Sequence, residues 1–280
     1  MNYAEPTTVD EALDVLAEHG DDAKVIAGGQ SLLILMREGF VRPELLVGLS
    51  GIPALRELEI DGAARVGAMV THAEVGRDDR IAERWPLLGT AERSVSTVQV
   101  RNRGTLGGSV AHAFPTADAP AALIAGDARV ALASKRGGSR EVAAEEFFVG
   151  VMETVAEPDE LVTAITLPPQ PDGARWAYVK YAIRPLDFAI VGVAARVVLA
   201  GDGTIAEARI GLNGAANHTL RATDAEAALT GREPTPEVLA QAGRAAAAQS
   251  KPLADVDGTE DYKRRVVGVY TTRALQQALG

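Results

Sequence analysis

The chain has 280 residues, of which 47% are hydrophobic and 24% charged, a composition that is typical of globular proteins and excludes a fibrous or disordered chain. Asp and Glu total 38 against 28 Lys and Arg, so the formal net charge of −10 argues against a surface that follows nucleic-acid phosphates. The length exceeds that of a usual single domain, and we expect two domains that share a cleft.

Residue types further restrict the chemistry. The chain has no cysteine, which excludes disulfides, cysteine-ligated iron–sulfur clusters and thiol nucleophiles within it. Its histidines are not spaced as a metal-binding pair and form no recognisable triad, so neither a metal ligand nor a catalytic residue is predicted. They are His19, His72, His112 and His218. Because no signal-like N-terminus and no run of ~18 apolar residues is present, we expect no membrane span and a cytoplasmic location.

The first elements have clear local signals. Thr8 to Glu11 is a capping box that predicts a helix start, and Gly20 predicts its end. A buried strand is predicted at Lys24 to Ala27, a helix from Ser31 to Met36 and a strand from Leu45 to Leu49. Together they predict a small βαβ-like unit.

The middle of the chain begins with a hairpin. Asp61-Gly62 lies between two strand-like runs from Leu58 to Ala68, and Thr71 to Glu74 repeats the capping-box pattern. The stretch from Val98 to Pro120 has too many glycine, proline and histidine residues for one helix or strand, so we interpret it as a functional loop.

The rest of the chain is predicted to form a series of strands followed by helices. Strands are predicted at Ala128 to Ala133, Leu161 to Leu167, Trp176 to Tyr181, Ala189 to Ala200 and Thr204 to Leu212. The proline-rich segment from Pro168 to Gly173 is the predicted linker between two domains. Helices are predicted at Arg221 to Leu229, Glu237 to Gln249 and Glu260 to Leu279.

Two glycine pairs, Gly28-Gly29 and Gly107-Gly108, are the strongest functional signals. Because glycine lacks Cβ, neighbouring N–H groups can approach a phosphate oxygen closely, and Ser31 adds a hydroxyl at a helix start. Taken alone, each pair is better explained as a tight turn. Neither has the Rossmann glycine spacing or the lysine of a Walker loop, which disfavours a nicotinamide fold or a P-loop.

The order and spacing of these loops resemble the medium subunit of the molybdenum hydroxylases, the FAD-binding subunit of carbon monoxide dehydrogenase, xanthine dehydrogenase and relatives. The segments that carry the resemblance are Ala27 to Leu33, Val66 to Ala68 with Thr71 and His72, Gln99 to Gly108, Asp118 to Pro120, Lys180 to Ala189, and Tyr262. The resemblance implies an α+β fold with a two-subdomain FAD-binding domain of the vanillyl-alcohol-oxidase-like type. This domain is expected in residues 1–170, with subdomains at about 1–55 and 56–170. A C-terminal domain with a small antiparallel sheet and helices is expected in residues 174–280.

The resemblance also implies a non-covalent FAD site. Ala27 to Ser31 and Thr105 to Gly108 are expected to wrap the FAD diphosphate through backbone N–H groups, and Asp118 to meet the ribityl hydroxyls. Phe188 is expected to stack on the isoalloxazine ring, with Lys180 near the pyrimidine end. The full set of expected FAD-binding residues is Ala27, Gly28, Gly29, Gln30, Ser31, Leu32, Thr105, Gly107, Gly108, Ser109, His112, Thr116, Asp118, Val162, Lys180 and Phe188.

Ordinary structural roles are open for several of these residues. Asp118 is, on its residue type alone, better explained as the N-cap of a helix. Phe188 is equally well explained as a core aromatic that opens a strand. Lys180 has the alternative of a solvated strand lysine, and Val162 that of a plain core residue.

The flanks of the second loop leave further alternatives. Arg101 and Arg103 either offset phosphate charge or brace the loop by hydrogen bonds. His112 is expected near the flavin. Three positions depart from the usual pattern of the family. Ser109 replaces a common asparagine and Phe114 a polar or acidic residue, and Gln30 in place of histidine favours other members of the family over carbon monoxide dehydrogenase.

The resemblance implies the FAD-binding electron-transfer subunit of a molybdenum-containing hydroxylase or dehydrogenase. Its expected partners are a large subunit with the molybdenum cofactor and a small subunit with [2Fe–2S] clusters, assembled as a dimer of heterotrimers. Electrons are expected to pass from the clusters to FAD and on to an external acceptor. A stand-alone FAD-dependent oxidase, monooxygenase or cyclase on the same fold is the alternative, and a non-enzymatic dinucleotide-binding module is a third interpretation. The resemblance also implies that the large subunit selects the substrate.

Overall fold

The computed structural model describes residues 1–280 and begins with a small parallel sheet. Three strands are ordered β1-β3-β2, all parallel, and α2 connects β2 to β3. The predicted βαβ-like unit is therefore confirmed, with an additional N-terminal strand at its edge. The elements are β1 (Asn2–Ala4), α1 (Val9–His19), β2 (Ala23–Ile26), α2 (Leu32–Arg37) and β3 (Leu45–Gly48).

A five-stranded antiparallel sheet with helices on it follows. Its strand order is β4-β5-β10-β6-β7, and β8 and β9 form a separate two-stranded sheet. The elements are β4 (Leu58–Asp61), β5 (Ala63–Gly67), α3 (His72–Arg77), α4 (Asp79–Arg84), α5 (Pro86–Ser94), α6 (Val98–Arg101), α7 (Leu106–His112), α8 (Asp118–Ala125), β6 (Arg129–Ser134), β7 (Gly138–Ala143), α9 (Ala144–Phe147), β8 (Phe148–Gly150), β9 (Glu153–Thr154) and β10 (Leu161–Leu167).

The C-terminal part consists of a four-stranded antiparallel sheet covered by helices. Its strand order follows the sequence, β11-β12-β13-β14, and apolar residues of β12 and β13 pack with those of the last three helices in one core. The elements are β11 (Arg175–Tyr181), β12 (Val191–Leu199), β13 (Ile205–Asn213), β14 (Leu220–Arg221), α10 (Thr223–Leu229), α11 (Pro236–Gln249) and α12 (Glu260–Leu279).

Local signals predicted most of these elements. Thr71 and Glu74 form the complete capping box at α3, and Thr8 caps α1 by accepting from the Glu11 N–H. The Glu11 carboxylate differs from the prediction, because it accepts from the Thr7 N–H at 2.7 Å instead of the Thr8 N–H. No helix combines the length and the apolar character that crossing a membrane requires.

The prediction of one long loop at residues 98–120 is wrong. Two short helices, α6 and α7, and the start of α8 lie within this stretch. Both helices are short, and each begins at its own N-cap residue: Thr97 caps α6 and Thr105 caps α7. Repeated starts and stops over so few residues produce no sustained helical periodicity, so the pattern looked irregular.

Helix α8 joins the N-terminal elements to the C-terminal sheet. Gly211 on β13 lies against α8 so closely that a Cβ there would be 2.1 Å from the Ala121 carbonyl oxygen. Asp127, just beyond α8, forms ion pairs with Arg196 at 2.6 Å and with Arg209 at 2.7 Å. The Arg196 side chain is 3% exposed and that of Asp127 is 33% exposed, so a buried guanidinium holds the sheet against the end of the helix through a partly exposed carboxylate.

Substitution of Gly211 by alanine tests this joint. We expect Gly211→Ala to lower the free energy of unfolding by about 1–3 kcal/mol, because the added methyl overlaps backbone that cannot move freely. Urea unfolding followed by circular dichroism measures the effect. Gly201→Ala is the matched control, since a Cβ at Gly201 meets no atom within 4 Å, and it should change stability by less than about 0.5 kcal/mol. Equal stability of the two variants would contradict the close approach.

Candidate functional site

The two glycine loops meet in space. A Cβ on Gly28 would lie 2.0 Å from the Arg103 carbonyl oxygen and 2.8 Å from the Gly104 Cα, so only glycine permits this approach. On the other side, a Cβ on Gly108 would lie 3.5 Å from the Ala27 Cβ. The turn after β2 and the segment around α7 therefore form one continuous surface.

The first loop presents a row of free donors. The backbone N–H groups of the five residues from Gly28 to Leu32 donate to no acceptor within the protein. Gly29 has φ +71°, which turns successive N–H groups toward one side, and the Ser31 hydroxyl caps nothing. We call these five residues the cradle. Such a row of donors is suited to an anion with several oxygens, such as a diphosphate.

In the second loop, by contrast, the N–H groups of Gly107, Gly108 and Ser109 have acceptors within the protein. The Gly107 N–H donates to the Ala68 carbonyl at 3.2 Å, and the Gly108 N–H donates to Thr105 Oγ1 at 3.0 Å. Ser109 N–H donates to the Thr105 carbonyl at 3.0 Å. Gly107 also packs tightly, since a Cβ there would lie 2.6 Å from the Ala68 Cα. The glycines of this loop thus permit close packing, and their contact with a diphosphate stays a prediction that free N–H donors do not support.

Three aromatic side chains contact one another in a row at the end of α7. The rings of His112 and Phe114 stack with centroids 5.9 Å apart, and Phe188 approaches Phe114 at 5.1 Å. Burial lowers the pKa of His112, which keeps the imidazole neutral at pH 7. Phe188 is 63% exposed, so the alternative of a core aromatic is wrong. A large exposed ring is available for stacking, and stacking on the isoalloxazine stays a prediction.

Two residues after Phe114, the side chain of Thr116 has a buried hydroxyl. Thr116 Oγ1 is inaccessible to solvent and has no hydrogen-bond partner in the protein. An unpaired buried hydroxyl costs free energy unless a ligand or water completes its hydrogen bonds. This is one of the expected FAD-binding residues, and it retains a free polar atom for that role.

Asp118 and Lys180 meet in a buried ion pair. Lys180 Nζ lies 2.9 Å from Asp118 Oδ2 and donates to the Ser94 carbonyl at 3.0 Å, while Tyr178 donates its hydroxyl proton to Asp118 Oδ1 at 2.6 Å. The alternatives of a helix cap and a solvated lysine are both wrong. Asp118 is the first residue of α8 and caps no N–H, and the Lys180 side chain is only 10% exposed.

The charges of this cluster influence one another. Burial raises the pKa of Asp118, and the Lys180 cation and the Tyr178 hydroxyl oppose that rise. Burial and the Asp118 charge together raise the pKa of Tyr178 well above its ordinary value, so its hydroxyl stays protonated and remains a donor. Asp118 is thus anchored across the joint between α8 and β11.

Other expected residues lie outside an open site. Val162 is buried within the core of the five-stranded sheet, which is the plain packing role that the sequence left open. Arg101 braces a turn by donating to the Val95 carbonyl at 2.6 Å and the Ser96 carbonyl at 2.5 Å. Arg103 is exposed and forms no ion pair, and its backbone carbonyl is the group that Gly28 approaches.

Sequence reasoning missed two residues of this region. Tyr178 lies two positions before Lys180 on β11 and shares its face, so the period-two pattern of a strand was a usable signal. Glu92 on α5 contacts His72 at the start of α3, with Nδ1 and Oε2 2.5 Å apart. No local pattern links two residues on separate helices, so this pair had no sequence signal.

Comparison with protein families assigns the chain. Residues 1–170 match the family model described as the FAD binding domain in molybdopterin dehydrogenase. Residues 176–278 match that of the CO dehydrogenase flavoprotein C-terminal domain. The chain belongs to the FAD-binding medium subunits of the molybdenum hydroxylases. This medium subunit is an oxidoreductase component with an FAD-binding domain, and the predicted α+β fold with a C-terminal domain of antiparallel sheet and helices is confirmed.

Curated relatives support the assignment over the whole chain. The medium subunit is 35% identical to the nicotine 6-hydroxylase medium subunit of Paenarthrobacter nicotinovorans, over 99% of this chain and 97% of that subunit. It is 37% identical to the carbon monoxide dehydrogenase medium chain of Hydrogenophaga pseudoflava, over 99% of this chain and 96% of that chain.

Solved structures agree. The carbon monoxide dehydrogenase structure from Hydrogenophaga pseudoflava gives a TM-score of 0.96 at 38% identity, covering 100% of the medium subunit and 97% of that chain. Quinoline 2-oxidoreductase from Pseudomonas putida 86 gives a TM-score of 0.92 at 34% identity, covering 99% of the medium subunit and 96% of that chain.

The residues present fit FAD. The cradle of free N–H groups suits the diphosphate, and the unpaired Thr116 hydroxyl suits a polar atom of the ligand. Both features lie within the residues matched by the FAD-binding domain.

Removing the lysine of the buried pair tests the cluster around Asp118. We expect Lys180→Met to lower the free energy of unfolding by about 3–5 kcal/mol, because a buried carboxylate is left without a cation. Urea unfolding of the flavin-free chain measures this. In the double variant Asp118→Asn with Lys180→Met the unpaired charge is absent, so part of the stability should return. A loss below about 1 kcal/mol for Lys180→Met would contradict the pairing.

Proposed function

We propose that this medium subunit holds FAD non-covalently at the cradle and transfers electrons to it from iron–sulfur clusters of a small partner subunit. An external acceptor then takes the electrons from this subunit. A large partner subunit with the molybdenum cofactor carries out the hydroxylation or dehydrogenation of the substrate. The bound flavin would supply the redox chemistry itself, and the residues of this chain would bind and position it.

The observation that carries the proposal is the cradle. The protein has a net charge of −10, so its overall field repels an anionic dinucleotide. Five consecutive N–H groups without an internal acceptor provide a local, fixed and positive surface that overcomes this repulsion at short range. Arg103, exposed beside the cradle, adds a cation without a competing carboxylate.

The remaining expected residues have distinct tasks in this proposal. Ala27 and the cradle bind the diphosphate, and Thr105, Gly107, Gly108 and Ser109 shape the wall opposite. Thr116 provides a hydroxyl, and Phe188 with His112 offers flat groups to the isoalloxazine ring. Asp118 and Lys180 hold each other in place at the joint with β11, which orients both groups at the edge of the site. Val162 supports the wall from the core and need not touch the ring.

The partners follow from the chemistry of the chain. Without cysteine it cannot ligate the clusters, so these belong to the small subunit. The relatives reported above are named as medium subunits or medium chains, which supports this division and gives no support to a stand-alone oxidase, monooxygenase or cyclase. We propose a dimer of heterotrimers in the cytoplasm that binds no nucleic acid. We also propose that the domain boundary lies between residues 170 and 174.

A substitution between the loops tests the FAD site. We expect Gly108→Val to abolish flavin retention, because a Cβ there lies 2.9 Å from Thr105 Oγ1 and 3.5 Å from the Ala27 Cβ, so the branched side chain crowds the wall next to the cradle. Flavin absorbance per polypeptide, after incubation with excess FAD and desalting, measures retention. Circular dichroism reports whether the variant is folded. Gly201→Val, far from any neighbour, is the control and should retain flavin. Normal flavin content in folded Gly108→Val would overturn the placement.

Isolation of the native complex tests the assembly. We expect the chain to co-purify with a larger and a smaller subunit, with molybdenum and iron in the complex and about one FAD per medium subunit. Native mass spectrometry with metal analysis measures all three. A yellow single chain without molybdenum or iron that oxidises an organic substrate would instead support the stand-alone enzyme.

A further inference from the structure

A buried ion pair lies directly behind the meeting point of the two loops. His72 Nδ1 and Glu92 Oε2 are 2.5 Å apart, and the two side chains are 6% and 0% exposed. The imidazole packs on Gly104, where a Cβ would lie 2.9 Å from Cδ2 and 3.2 Å from Nε2 of His72. The preceding Arg103 carbonyl is the group that Gly28 approaches. A continuous line of contacts therefore connects Glu92 to the first residue of the cradle.

Backbone bonding reinforces this line. The His72 N–H donates to the Gly104 carbonyl at 3.0 Å, so the imidazole and the main chain of His72 both contact the same turn. Gly104 itself is buried, and its N–H donates to the Val100 carbonyl at 2.7 Å. A shift of His72 cannot occur without a shift of this turn, since packed interiors transmit small displacements.

Glu92 requires a nearby cation. Its side chain is fully buried, and Oε1 has no hydrogen-bond partner. A buried carboxylate is costly unless it is paired, and His72 is the cation in contact with it when the imidazole is protonated. Burial alone lowers the pKa of His72, but the charge and hydrogen bond of Glu92 outweigh it, so the pKa lies above the ordinary value.

Neighbouring charges on other elements influence the pair. Asp118 on α8 favours the protonated imidazole, and Lys180 on β11 is already bound to Asp118. Arg101 on α6 opposes protonation, although its guanidinium is held by two backbone carbonyls. Two buried carboxylates are thus balanced by two cations when His72 is charged.

The last neighbour on α5 is Arg93, next to Glu92 in sequence. Its guanidinium donates to the Gly76 carbonyl at 3.0 Å and to Thr90 Oγ1 at 3.1 Å. Tyr178 on β11 stays protonated and uses its hydroxyl on Asp118. Neither group is bonded to Glu92, so His72 alone decides whether this carboxylate is paired.

We propose that His72 is a positioning residue whose protonated imidazole, paired with Glu92, holds the Arg103–Gly104 turn against Gly28 and so sets the geometry of the cradle. The proposal rests on the proposed FAD-binding function for its consequence, which is that the affinity for FAD depends on the charge of His72. Deprotonation removes the positive charge that balances the buried Glu92 carboxylate, so the pairing weakens and the turn relaxes.

The direction of the pH effect follows from linkage. A histidine whose pKa is raised in the folded state contributes its full stabilisation at pH values below the unfolded pKa of about 6.5. That contribution is lost as pH rises through the pKa of the folded state. Since the proposal makes the protonated imidazole a condition of the cradle geometry, FAD binding is linked to the same proton, and the cradle should bind FAD more weakly as pH rises above the ordinary imidazole range.

Titration of the purified full chain with FAD, followed by flavin fluorescence between pH 6 and pH 8.5, tests the consequence. We expect the Kd of the unmodified chain to rise about threefold or more across this range. His72→Gln should bind weakly with little pH dependence, and Glu92→Gln should also flatten the profile, since it removes the charge that keeps His72 protonated. His19→Gln, at an exposed histidine, is the matched control and should keep the original pH profile. A pH-independent Kd for the unmodified chain, or an unchanged profile in His72→Gln, would overturn the proposal.

The flavin-free chain provides a readout that does not depend on FAD. We expect the amide NMR signals of Gly28 and Gly104 to titrate with the same midpoint as the His72 imidazole, and to lose this titration in Glu92→Gln. Amide signals that do not follow His72 would overturn the positioning role. Failure of the chain to bind FAD at any pH would instead refute the proposed function and leave this NMR result as the deciding measurement for His72.

Discussion

The contact between Gly28 and the backbone at Arg103 is the constraint on which the site depends. With a hypothetical Cβ only 2.0 Å from the Arg103 carbonyl oxygen, this approach tolerates no side chain at position 28. It brings the end of the parallel strand β2 against the segment between α6 and α7. The row of unpaired N–H groups begins at Gly28, so this contact fixes where the row starts.

Electrostatics in this protein acts over short distances. The net charge of −10 opposes an anionic ligand, and the favourable field comes from backbone donors that remain positive at any pH. The buried ion pairs lie in the joints between elements and do not form part of this row of donors. Asp118 with Lys180 fixes the joint between α8 and β11, while Asp127 with Arg196 fixes the same helix to β12. Both pairs cross between N-terminal and C-terminal elements, so the two parts form one framework around the site.

Local patterns in the sequence predicted the elements well. Capping residues such as Thr71, glycine turns such as Gly62 and the strand-like run from Thr204 to Leu212 depend on neighbours a few positions away, and each of these signals was correct. Residues 98–120 were misread because three short helical starts in succession leave no sustained period. The resemblance of the chain to its family, and not periodicity, indicated that this segment lies beside the first loop.

Local sequence patterns did not predict which side chains pair when the two residues lie far apart in the chain. Asp118 looked like a helix cap because its position before apolar helical residues is typical of caps, yet its carboxylate is held by Tyr178 and Lys180 from another sheet. Glu92 and His72 lie on different helices, and only the fold brings them together. Phe188 could not be distinguished from a core residue, because stacking and burial select the same flat apolar side chain and differ only in exposure.

The exposed aromatic Phe188 lies on a turn between β11 and β12, whereas the anchoring donors lie on residues 28 to 32. In the proposed site, the groups that hold the dinucleotide and the ring that contacts the flavin are thus encoded on separate stretches of polypeptide. A substitution at Phe188 then changes the surroundings of the flavin without changing the donors at residues 28 to 32, so redox behaviour and cofactor retention are separable.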